Sequence, residues 1–85
     1  MKKYTYFALV TVRDGEPAVS VFRHKCASRA EIAAKKAALA YFQDEIADAN
    51  DMDPKDVTYW HLQDYARNCD LICDVIKVPV FEVKD

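Results

Sequence analysis

"DMDPKDVTYWHLQDYARN", residues 51–68, decides the fold. Two readings compete for it. Asp53 fits an N-cap and Pro54 the first position of a helix, because proline needs no amide partner there. Yet "VTYWHL", Val57 to Leu62, is β-branched and aromatic, and residues 54–68 carry no clean helical stripe. The favoured expectation is one turn at Pro54, a strand over 57–63, and "DYARNCD" as a connection. The alternative makes 54–68 helical.

The flanking stretches are plainer. "YTYFALVTVR", Tyr4 to Arg13, is a predicted strand. Tyr4, Tyr6, Ala8, Val10 and Val12 fall on one side, and Thr5, Phe7, Leu9, Thr11 and Arg13 on the other. Asp14-Gly15 supplies a hairpin turn, with the chain's single glycine. A second strand runs from Ala18 to His24. "SRAE", Ser28 to Glu31, has the pattern of a capping box, and predicts a helix from Arg29 to about Ala47. Its core stripe is Ile32, Leu39, Phe42 and Ile46, with Lys35 laid along it. A flatter patch of Ala33, Ala37, Ala40 and Tyr41 is a surface for close approach. "LICDVIKVPVFEV", Leu71 to Val83, predicts the last strand, with Pro79 at an edge or bulge. The fold class is therefore α+β: a two-layer ββαββ domain, an antiparallel sheet with one long helix packed on one face, with ββααβ as the alternative.

The 85 residues suit one domain, 1–85, and folding at this size buries only about 60–65% of the unfolded surface. A hydrophobic content of 52% predicts a packed core. One glycine excludes the glycine-rich phosphate loops. No apolar run reaches membrane-spanning length, and the opening "MKKYTYFALVTVRDG" lacks the cleavage site of a signal peptide. Three cysteines, an odd count, fit a reduced cytoplasmic protein.

Charge is divided unevenly. Residues 1–43 hold eight Lys/Arg against three acids, a net +5, and residues 44–85 hold four against eleven, a net −7. Within "DEIADANDMDPKD", 44–56, six acids face one lysine. Asp44, Glu45, Asp48, Asp51, Asp53 and Asp56 form a ridge of carboxylates suited to a basic groove built for phosphates, with Tyr41, Tyr59 and Trp60 as aromatic anchors.

Other chemistry is weaker. Cys69 and Cys73 have a zinc-like spacing, but on a strand they stand about 13 Å apart, beyond a shared ion or a disulfide. His24 and Cys26 lie beside a helix start, which favours a thiolate, but no orienting third group follows. Both possible calcium-loop registers place wrong residues at required positions. Arg23, Lys25 and Arg29 make an alternative anion site at the helix N-terminus. The acidic balance, with a pI near 5.6, disfavours direct nucleic-acid binding. No catalytic residue, metal or cofactor is predicted.

The small size, the hairpin-then-helix order, "SRAEIAAKKAALAYF" and the acidic "DEIADANDMDPKD" together resemble small phage-encoded inhibitor proteins, including those of the anti-CRISPR type. The resemblance lies in layout, and carries over no functional residue. It implies a non-enzymatic protein-binding module whose acidic surface docks on the nucleic-acid-binding site of a host defence protein. The remaining expectations are a protein partner with a basic surface, a possible homodimer through an edge strand or the alanine patch, and no membrane.

Overall fold

Residues 3–79 are described by a computed structural model. Asp14 and Gly15 both take positive φ, 53° and 80°, as the tight hairpin turn requires. They join β1 (Thr5–Arg13) to β2 (Glu16–His24), antiparallel, with Arg13 opposite Glu16 and Thr5 opposite His24. The helix α1 (Ala27–Asn50) follows, then a 3-10 turn (Pro54–Asp56), the helix α2 (Tyr59–Asn68) and β3 (Ile72–Val78). β3 lies antiparallel against the free side of β1, so the sheet order is β2-β1-β3. The class is α+β, an antiparallel sheet with a long helix across one face, and the order of elements is ββααβ.

The strand expected at 57–63 is thus a helix. Thr58 sits at the N-cap, and the His61 ring accepts the Thr58 amide at 3.0 Å, closing the first turn. Leu62 and Ala66, four apart, point into the core, with Tyr59 half-buried beside them. Local β-propensity yields to burial: Val57, Leu62, Ala66 and Leu71 form one cluster with Leu9, Phe42 and Ile46. The turn at Pro54 is as expected, with Asp53 accepting the Lys55 amide at 3.1 Å.

α1 also departs from expectation. It begins two residues early, with Cys26 at the N-cap, so Ser28 lies inside the first turn and makes no capping box with Glu31. Its buried line is Ala30, Ala34, Ala38, Phe42 and Ile46, while Ile32 is half-exposed. The sheet explains the rotation. Phe7 and Phe22 stand opposite one another on the covered face, and bulky rings there need small residues on the helix. Lys35 pairs with Glu31 at 3.7 Å and lies 5.3 Å over the Tyr59 ring.

The expected last strand is present over Ile72–Val78, and its continuation through 80–83 lies outside the described residues. Pairing parity explains both flanking prolines. Arg13 and Glu16 close a two-residue turn, so Pro17, Val19, Val21 and Arg23 direct their backbone groups away from β1. Pro17 therefore forfeits no ladder bond. Pro79 has the same parity after β3.

Candidate functional site

The acidic run occupies one end of the molecule. Tyr41, Asp44, Asp48 and Asp51 follow one another at spacings of three, four and three along α1 and its cap, and so share an exposed stripe. Tyr41 is 75% exposed. Asp51 ends the helix in the left-handed region, φ 53°, a conformation aspartate tolerates better than most residues. Asp53 and Asp56 continue the ridge around the 3-10 turn, with Lys55 3.7 Å from Asp53. α1 has no basic residue in its last turn, so Asp48 and Asp51 sit against the negative end of the helix dipole. Trp60 opens α2 close by in the chain and is 67% exposed. Tyr59 is turned inward and half-buried, under Lys35.

Glu45 is set apart from the other acids. Its carboxylate accepts the Tyr65 hydroxyl at 2.5 Å and the Arg13 guanidinium. The hydrogen bond from Tyr65, then Arg13, holds Glu45 below the ordinary carboxylate range, and the same bond pushes Tyr65 up to about 12. This latch ties the end of β1 to α1 and α2. Arg13 also stacks 5.6 Å over the Phe42 ring. Above the latch, Thr11, Arg13, Asp14, Glu16, Ala18 and Tyr41 surround an open cleft of about 330 Å³ that the sequence did not announce.

The basic cluster is split. Arg23 lies on the uncovered sheet face, 4.8 Å over the Tyr4 ring. Lys25 and Arg29 are exposed at the start of α1. His24 Nδ1 accepts the Cys26 amide at 2.8 Å, so that nitrogen is occupied by backbone rather than by the thiol. The Ser28 hydroxyl, 3.1 Å from Cys26 Sγ, and then the Arg29 amide lower the Cys26 thiol.

Cys69 caps α2 and is exposed, while Cys73 is half-buried on the covered face of β3, where burial raises its thiol. Asp70 turns the chain between them with φ 53°. Among the described residues no three His, Cys, Asp or Glu side chains gather as a metal-binding group, and no helix is long and apolar enough to cross a membrane. No family model, curated protein or solved structure matches the chain.

Proposed function

We propose that the chain is a non-enzymatic binding module whose acidic end docks on a basic, nucleic-acid-binding surface of a protein partner. Inhibition of a host defence protein by a phage-type, anti-CRISPR-like protein is the biological form this reading takes. The observation that carries it is the stripe of Asp44, Asp48 and Asp51 running onto the C-terminus of α1 without a balancing cation in the last turn. The left-handed backbone suits Asp51, but acids there oppose the helix dipole and one another, so local stability gives no reason for Asp44 and Asp48, whereas steering toward a cationic surface does. Tyr41 and Trp60 supply exposed aromatic surface for anchoring, and the three free thiols fit a reducing cytoplasm. Glu45 belongs to the internal latch and contributes to docking only indirectly.

The test is a pull-down from host lysate with the wild-type chain and with the Asp48→Lys, Asp51→Lys, Asp53→Lys, Asp56→Lys variant. The wild type should retain a partner of basic surface, released by added nucleic acid or by salt. Equal retention by the variant, with its circular-dichroism spectrum intact, would falsify the reading.

A second reading takes Lys25 and Arg29 as an anion site, favoured by the absence of any side-chain cap on the first amides of α1. A gel shift at low and at physiological salt separates it from the first, since phosphate binding weakens steeply with salt.

A further inference from the structure

One face of the sheet is covered by nothing among the described residues, yet it has the composition of a core. Its rows, read across β2, β1 and β3, are Arg23, Tyr6, Val78; Val21, Ala8, Ile76; Val19, Val10, Asp74; and Pro17, Val12, Ile72. Of the eight exposed large hydrophobic residues in the described chain, five lie on or beside this face: Tyr4 39%, Val19 61%, Val21 59%, Ile72 52% and Ile76 50%. An antiparallel sheet with one face in water ordinarily alternates apolar-in with polar-out. β2 does the reverse in part, directing Ala18 and Ser20 toward the helix side and Val19 and Val21 toward solvent.

Among the described residues two charges interrupt the patch, and their placement is informative. Ala8 pairs with Val21 on one side and with Ile76 on the other. Arg23 lies two residues beyond Val21 in one direction, and Asp74 two residues beyond Ile76 in the opposite direction. Each is therefore one strand over, ~4.8 Å, and two residues along, ~6.6 Å, from Ala8. The two positions are related by symmetry about Ala8. Neither Arg23 nor Asp74 has an ion-pair partner among the described residues.

We propose that a second copy of this chain covers this face, with a twofold axis in the plane between the sheets and passing over Ala8. That axis sets Arg23 of each copy opposite Asp74 of the other, twice. It crosses the two sets of strands at roughly 70° by the same spacings, near the orthogonal class of sheet packing. The small Ala8, 3% exposed, lies on the axis with Val21 and Ile76 flanking it. The patch spans roughly 25 by 15 Å in projection. Crossed at roughly 70°, two such patches overlap over about 15 by 16 Å in projection, which places the interface at the small end of specific complexes. A self-complementary face of this kind is what an isologous dimer requires. It leaves the acidic end of α1 and the start of α2, on the helix side, open to another partner.

Sedimentation equilibrium of the purified full chain, from low to high micromolar, tests the proposal. The wild type should be a dimer. Val21→Glu should be monomeric with an unchanged circular-dichroism spectrum, and Val19→Lys serves if Val21→Glu fails to fold. Arg23→Asp and Asp74→Arg should each weaken the dimer about tenfold or more. The combined exchange, Arg23→Asp with Asp74→Arg, should restore wild-type association. A wild type monomeric over the whole range overturns the proposal, and assigns the face to a different occupant. So does a dimer indifferent to Val21→Glu and Val19→Lys, or one that the combined exchange fails to restore.

Discussion

The two faces of the sheet are built from the same strands to opposite ends. The covered face places Phe7, Leu9, Phe22 and Val75 against α1 and α2, and lets polar groups such as Thr11, Ser20 and Lys77 fill its margins. The uncovered face carries valine, isoleucine and tyrosine nearly to its edges, with one charge of each sign among the described residues. The covered face is matched in shape, alanine on the helix to phenylalanine on the strand. The uncovered face is matched, on our proposal, only to itself. Apolar composition thus marks a surface meant for burial, and the local fit of large to small marks which burial is already complete.

Substitutions can break that contrast, and the largest effect belongs to the covered side. Phe42 is 1% exposed at the centre of the core, so Phe42→Ala should lose about 3–5 kcal/mol in chemical denaturation. A loss below about 1 kcal/mol would mean that the helix layer is not packed as described. Ala34 is 0% exposed against the sheet, so Ala34→Leu should lose about 1–3 kcal/mol through overpacking.

Next comes the latch at the rim of the covered side. Tyr65→Phe removes its hydrogen bond to Glu45 and should lose about 1 kcal/mol at neutral pH. The pH dependence follows from the shifts. Tyr65 holds its proton more tightly folded than unfolded, so its contribution is complete below about pH 10 and lost as pH rises through about 12. Glu45 shifts downward, so its contribution is complete above its ordinary 4.5 and lost as pH falls through the lowered value. Ultraviolet titration should find two of the five tyrosines ionising late, Tyr65 through its bond to Glu45 and Tyr59 through burial, and Glu45→Gln should remove the delay of Tyr65 alone.

The smallest effect is expected on the uncovered face. Val21→Thr, measured where the chain is monomeric, should change stability by no more than about 0.5 kcal/mol. A large loss there would show that the face is already buried within one chain.

What the sequence made legible follows the range of the forces involved. The hairpin was readable because Asp14-Gly15 encodes its turn within two residues. The 3-10 turn was readable from Asp53-Pro54 for the same reason. α2 was misread because "VTYW" favours a strand locally, and what overrides it is packing of Leu62 and Ala66 against Phe42 and Ile46. The Thr58 to His61 pairing was the available local signal, with histidine in the place usually held by Glu or Gln. The core face of α1 was misjudged by counting large side chains when the sheet required small ones. The acidic ridge was visible as a continuous run. Glu45's separate role was not, because Arg13 and Tyr65 stand 32 and 20 residues away.

The position of β1 has a consequence for how the chain is made. It is synthesised before both of its neighbours, yet it lies between them in the sheet, and they arrive at very different times. β2 folds back at once through the two-residue turn, but Tyr6 waits for Val78. Until β3 pairs, the chain presents β1's open edge together with the apolar face of the hairpin that α1 does not cover. The hairpin closes through local contacts, whereas β1 and β3 pair across 60 to 72 residues (Val12 with Ile72, Tyr6 with Val78), the long-range kind of contact that slows folding. That interval is when the chain is most exposed to pairing with the wrong strand.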